Sequence, residues 1–172
     1  MKKLLAMLLV AILALSTAAF AATYNHDNDI TFQYDENNLE ITFEEHKDDE
    51  DRVILGYKND SWGEGYITIQ VDDLPDNKPF PTDAEIAESL GVEATQLEKL
   101  PTWGNFTNVL TVAVTTDGLT ETMFVAPVID DDGEAEEMLT VVIATSELED
   151  EATTQDRDDA ISAVVDTLKV DD

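Results

Sequence analysis

At 172 residues, with 39 Asp and Glu against 9 Lys and Arg, the chain carries a formal charge of −30 at pH 7. Such a field repels nucleic acid and anionic membrane surfaces, no basic stripe exists to hold either, and cations or basic proteins are the partners it favours. There is no cysteine, which excludes thiol catalysis, thiolate metal sites and disulfide staples, and leaves stability to an apolar core.

The opening, MKKLLAMLLVAILALSTAAFA, sets Lys2 and Lys3 before an apolar run from Leu4 to Leu15 and ends in small residues. This is the pattern of a bacterial-type secretory signal peptide, with Ala19-Phe20-Ala21 as its small-x-small exit. The run is 12 residues long, short of the ~20 that a spanning helix needs. Residues 1–21 are therefore expected to be removed, and 22–172 to be exported as a single α+β domain, secreted or otherwise outside the cytoplasm. That remainder has 151 residues, and losing the two lysines takes its formal charge from −30 to −32.

Two alternating segments come next. In ITFQY, Ile30, Phe32 and Tyr34 share one face; in LEITFEE, Leu39, Ile41 and Phe43 do. The four polar residues between them predict a hairpin with one wet face. A charged stretch, EEHKDDEDR, leads to the strand VILGY, and GYITIQV turns Ile67, Ile69 and Val71 inward.

In PFPTDAEIAESLGV, Thr82 and Glu85 have capping-box spacing, Ile86, Ala87 and Leu90 make a face, and Gly91 is a stop. A further helical turn is expected in EATQLEKL. The segment NVLTVAVTTDGLTETMFVAPV holds Asp117-Gly118 between alternating runs, a strong signal for a two-residue hairpin turn. That turn pairs Thr116 with Leu119, Val112 with Met123 and Leu110 with Val125, and sets Thr115 against Thr120. MLTVVIATS is apolar on both faces, as a central, doubly covered strand would be. At the end, Ile161, Val164, Val165 and Leu168 form an i, i+3, i+4, i+7 stripe, with Asp156, Asp158 and Asp159 expected in the first turn and Lys169 near the close.

Few residues bear chemistry. PVIDDDGEAEEML resembles a calcium loop, since Asp130 and Asp132 alternate before Gly133, but the first ligand position falls on Val128, which cannot coordinate. Asp130 to Asp132 therefore read as a turn, and HKDDED has the same status. His26 and His46 are too few for a three-histidine zinc centre. No Gly-x-Ser-x-Gly elbow occurs, and no glycine-rich loop carries a lysine. Two aromatic clusters, Trp62 with Tyr66 and Trp103 with Phe106, either plug the core or line a groove. No catalytic, cofactor-binding or metal residue is assigned and no cofactor is expected.

A leader, alternating strands, a mid-chain helix opening PTDAEIAESLG and a terminal AISAVVDTLKV together resemble the PsbP-like family. The resemblance is carried mainly by Ile161, Val164, Val165, Leu168 and Val170. It implies an α/β/α sandwich, a central antiparallel sheet covered by helices on both faces, in an extracytoplasmic accessory protein and seldom an enzyme. The expected function is a non-enzymatic acidic binding or accessory domain for a cationic protein or envelope component. The alternatives are a hydrolase using a carboxylate pair in a groove near Trp62 or Trp103, and a weak calcium-dependent module. If Asp130 to Asp132 form a turn, millimolar calcium raises the melting temperature no further than a monovalent salt of matched ionic strength. A clear excess for calcium in thermal melts would refute the turn.

Overall fold

The computed structural model describes residues 21–26, 30–47, 50–75, 78–130 and 133–170; the expected leader, apart from Ala21, lies outside them. Ten strands and two helices follow in the order β1 (Ala21–His26), β2 (Ile30–Asp35), β3 (Leu39–Lys47), β4 (Glu50–Tyr57), β5 (Gly65–Asp73), α1 (Asp83–Leu90), β6 (Glu98–Trp103), β7 (Phe106–Thr116), β8 (Leu119–Ile129), β9 (Ala135–Ser146), α2 (Glu151–Thr167) and β10 (Lys169–Val170). They form two antiparallel sheets. The larger runs β3-β4-β5-β9-β8-β7-β6 and the smaller β1-β2-β10.

This corrects the expected helix-covered α/β/α sandwich. The protein is mostly β, and its layers are unequal. On one face of the large sheet, Val53, Leu55, Ile67, Ile69, Val71, Leu139 and Val141 are at most 5% exposed. Their cover is the small sheet, through Tyr24, Ile30 and Phe32, together with the α2 stripe Ile161, Val164, Val165 and the following Leu168. On the opposite face, α1 sets Ile86 against Leu110 and Val125, with Phe80, Leu90, Leu97 and Met138 around them. A helix of 8 residues is about 12 Å long, while seven strands span roughly 29 Å. The second helical layer is therefore too small to cover the sheet.

Local signals and local structure agree closely. Thr82 Oγ1 accepts from the Glu85 N–H and the Glu85 carboxylate accepts from the Thr82 N–H, completing the capping box. Gly91 stops α1 in the left-handed region at φ 70°. The β7–β8 register is the one the turn dictates, Thr116 opposite Leu119, Val112 opposite Met123 and Leu110 opposite Val125, with the Thr115 and Thr120 hydroxyls 2.9 Å apart. β9 is the fourth of seven strands.

Three expectations change. ITFQY and LEITFEE are not a hairpin, because β2 joins the small sheet and β3 the large one. The Asp35 carboxylate accepts from the Asn37 N–H at 3.0 Å and from Asn38 Nδ2 at 2.7 Å, so the link is an Asx-type corner between sheets. Secondly, the register shifts between Ile41, opposite Leu55, and Phe43, opposite Ile54. Thr42 is the extra residue of a β-bulge, and the alternation beyond it inverts. Phe43 thereby leaves the dry face. Thirdly, α2 begins at Glu151, capped by Asp150, so Asp156, Asp158 and Asp159 lie beyond its first turn. Lys169 falls in β10.

The C-terminal end of α2 is clamped by the two-residue turn between β6 and β7. Asn105 Nδ2 donates to the Leu168 carbonyl at 2.9 Å, satisfying an oxygen that the ended helix leaves open. Gly104 sits at φ 55°, where a Cβ would lie 2.8 Å from the Val165 carbonyl oxygen. Gly118 is also left-handed, at φ 85°, but nothing stands within 4 Å of its Cβ position. Gly118→Ala should cost about 1 kcal/mol from backbone conformation alone, and Gly104→Ala at least about 2 kcal/mol because it also displaces α2. Urea unfolding of the two variants compares them; equal losses would show that the clamp contributes nothing.

Candidate functional site

The residues singled out by the sequence do not converge. Trp62 is 0% exposed and meets the Tyr57 ring edge-on at a centroid distance of 5.6 Å. No groove opens on it. Tyr66, its expected companion, projects from the opposite face of the sheet, since it alternates along β5 with Ile67, which shares the core with Trp62. Trp103 lies flat on Phe124 with centroids 4.0 Å apart and planes 8° apart, packed against the main core beside Phe106. Both tryptophans fill structure.

Asp130 serves its own turn. Its carboxylate accepts from the Glu134 N–H at 2.8 Å, and its backbone exchanges hydrogen bonds with Glu134 and Gly133. Asp131 and Asp132 lie outside the described residues. His46 Nδ1 is 2.9 Å from Asp51 Oδ1 across the β3–β4 hairpin, which the charged stretch builds. The His26 side chain is not among those described. Among the described residues, no three His, Asp or Glu side chains gather as a cation site.

A cleft of about 420 Å³ lies between residues 80–81 and the β6–β7 ladder, walled by Phe80, Pro81, Leu100, Pro101, Asn108 and Pro127. Asn108 is left-handed at φ 57°, and at the rim Lys99 Nζ contacts Asp83 Oδ2 at 2.8 Å, both well exposed. The walls are mostly apolar, and the polar side chains lining them are Asn108 and the exposed Lys99–Asp83 pair.

The uncovered part of the large sheet is the more informative surface. Reading the register across it, Phe43 stands opposite Ile54, Ile54 opposite Thr68, Thr68 opposite Val142 and Val142 opposite Met123. Residues paired across strands share a face, so these five make one mostly apolar row. Phe43 is 42% exposed and the other four are half-buried, in contrast to the sealed row on the reverse face.

Polar rows border it on both sides. On one, Arg52 Nε donates to Gln70 Oε1 at 3.1 Å, and Gln70 Nε2 donates to the Asp72 carboxylate at 2.8 and 3.0 Å. The Arg52 guanidinium also pairs with Glu50. On the other, the Tyr66 hydroxyl donates to Glu121. By the same register the face carries five carboxylates, Glu40, Glu45, Glu50, Asp72 and Glu121, against Lys47 and Arg52. The sequence concealed this surface because plain alternation assigns Phe43 to the core. Only the two-sided apolarity of β9 hinted that a second face carried apolar side chains.

The Tyr66 phenol is pushed up to about 12, first by its hydrogen bond to Glu121 and then by burial and the carboxylate charge. Tyr57 also rises to about 12, chiefly by burial; Arg157 opposes the shift and Asp158 adds to it. A folded-state value above the unfolded ~10 means that the protonated phenol is favoured by folding. This stabilisation is whole below about pH 10 and is lost as pH rises through about 12. Tyr24 is raised as well, first by burial and then by the neighbouring Glu44, so phenolate absorbance during alkaline titration should show three tyrosines ionising late, and Tyr66→Phe should remove one of them. Unchanged late ionisation in that variant would refute the assignment to Tyr66.

No family model matches the chain, and no curated protein does. A crystal structure at 1.50 Å from Bacteroides thetaiotaomicron VPI-5482 superposes with a TM-score of 0.50 at 11% sequence identity. The match covers 87% of this chain and 48% of that one, so this chain spans about half the length of its structural neighbour. At that identity the likeness is one of fold.

Proposed function

We propose that the chain is an exported, strongly acidic, non-enzymatic binding or accessory domain whose partner is a cationic protein or envelope component. One observation carries the reading: a mostly apolar row lies open on the sheet between carboxylate-bearing rows, with Phe43 42% exposed, on a chain of formal charge −30. An apolar strip rimmed by polar groups is what an interaction surface presents. The surrounding charge sets which partners approach, because long-range attraction raises the encounter rate of opposite charge and suppresses that of like charge. Export follows from the leader pattern of Lys2, Lys3 and Leu4 to Leu15. Among the described residues no helix is long and apolar enough to cross a membrane.

The test is to immobilise the protein without residues 1–21 and pass envelope extract from its own source over it at two ionic strengths. Recovery of a discrete basic protein at low salt, and its release at high salt as screening shortens to a few ångströms, is the expected result. Nothing retained at either ionic strength would overturn the proposal.

A further inference from the structure

We infer that the open face is a seat for an amphipathic helix, basic along its flanks and supplied by the partner; the inference rests on the binding-module reading above. The backbone of the face limits what can lie there. Strands β3, β4, β5, β9 and β8 are bonded in unbroken sequence, so a segment placed on the sheet finds no free main-chain donors or acceptors. Its own N–H and C=O groups must be satisfied internally. A helix does so within a single segment, and an extended peptide does not.

The dimensions agree. The bordering polar rows stand four residues apart along the strands, Arg52 to Gly56 on β4 and Tyr66 to Gln70 on β5, or about 13 Å. A helix with side chains is about 10–12 Å across. From Phe43 on β3 to Met123 on β8 there are four strand intervals, about 19 Å, the length of about 13 helical residues. Successive side chains of a helical stripe lie about 5–6 Å apart, close to the inter-strand step of about 4.8 Å. One stripe can therefore settle along the Phe43–Ile54–Thr68–Val142–Met123 row. Its flanks would then face Glu45, Arg52 and Gln70 on one side, with Glu50 and Asp72 one row further out, and Glu40 and Glu121 on the other.

The chain already caps this face in the same manner where α1 sits over Leu110 and Val125. A second copy of the protein is a poor occupant, because each copy brings the same charge of −30. Glu45 and Glu50 already pair with Lys47 and Arg52, but carboxylates still outnumber cations on the face, and lysine or arginine flanks complement that excess.

The probe is a capped peptide of about 18 residues with leucine at i, i+3, i+4 and i+7 and lysine elsewhere; its control has the same composition with the stripe scrambled. Fluorescence anisotropy with the protein lacking residues 1–21 should give at least about tenfold tighter binding for the striped peptide. Circular dichroism should show it becoming helical, with amide shifts concentrated at Phe43, Ile54, Thr68 and Val142. Phe43→Ser, at an exposed position, should weaken binding several-fold, while Ile129→Ser, at an apolar residue 48% exposed elsewhere, should not. Equal, salt-sensitive binding of both peptides overturns the helix seat and leaves the acidic-module reading standing. Failure of both peptides, or indifference to Phe43→Ser, also overturns the seat, and the extract experiment then decides the broader reading independently.

Discussion

Everything in this fold depends on sealing one face of a seven-stranded sheet against the small sheet and α2, because little else opposes the charge. The molecule has 39 carboxylates, 9 cationic side chains and no cysteine. Its ion pairs are of little help. Lys47 with Glu45 and Lys99 with Asp83 join solvent-exposed groups, and such screened pairs contribute little. A fully buried Leu, Ile or Phe contributes about 1.5–3 kcal/mol, and Phe32, Leu39, Leu55, Ile67, Ile69 and Leu168 are all 0% exposed. Burial decides. The seal also joins the two ends of the described chain. β10 pairs with β2, Lys169 opposite Thr31 and Val170 opposite Ile30, and the Gln33 N–H donates to Thr167 Oγ1 at 2.8 Å. Loss of α2 packing would loosen the small sheet with it.

The two faces of the large sheet answer different demands. The sealed face admits a charge only under constraint: Arg157, 5% exposed on the inner side of α2, spends one guanidinium nitrogen on the Ser146 carbonyl at 2.8 Å. The other face admits charge freely and has apolar side chains between. The bulge at Thr42 is the switch between them. It lets the first half of β3 deliver Leu39 and Ile41 to the core while the second half turns Phe43 outward. Gly56 makes room for this, since a Cβ there would sit 2.9 Å from Thr42 Cγ2. A strand without the bulge would bury Phe43 and break the exposed row at its end.

How far the sequence could be read follows from the range of each force. The Thr82–Glu85 capping box, the Asp117–Gly118 turn and the α2 stripe are written within a few residues, and each formed as the local chemistry required. The partner of a strand is not local. ITFQY alternates as well in a small sheet as in a large one, and nothing in Ile30 to Asn38 says that β2 and β3 part company. The bulge is silent for the same reason, because Thr42 is an ordinary strand residue until Gly56 is placed beside it. Arg157 gives no sign of its burial, since cations seldom lie in a buried stripe. The PsbP-like resemblance rested on a terminal helix feeding a short strand, a pattern that records how α2 meets β10 and carries no information on the layer across the sheet. As for the candidate site, its residue types were visible, but their assembly into one row needed the register of five strands.

An open apolar row is a hazard as well as a site, and the same carboxylates address both. Exposed sheet surface invites self-association, and edges invite strand addition. Here the edge strand β3 carries Glu40, Glu44 and Glu45, while the opposite edge, β6, carries Pro101, which donates no backbone hydrogen bond. Two copies that approach face to face bring like charges together before their apolar rows can touch. The proposed basic helix would meet the opposite field. On the proposed reading, such a surface resists self-association yet can be closed by a chain of the right charge and period. The negative charge, on that reading, contributes to the selectivity of this face as well as to solubility.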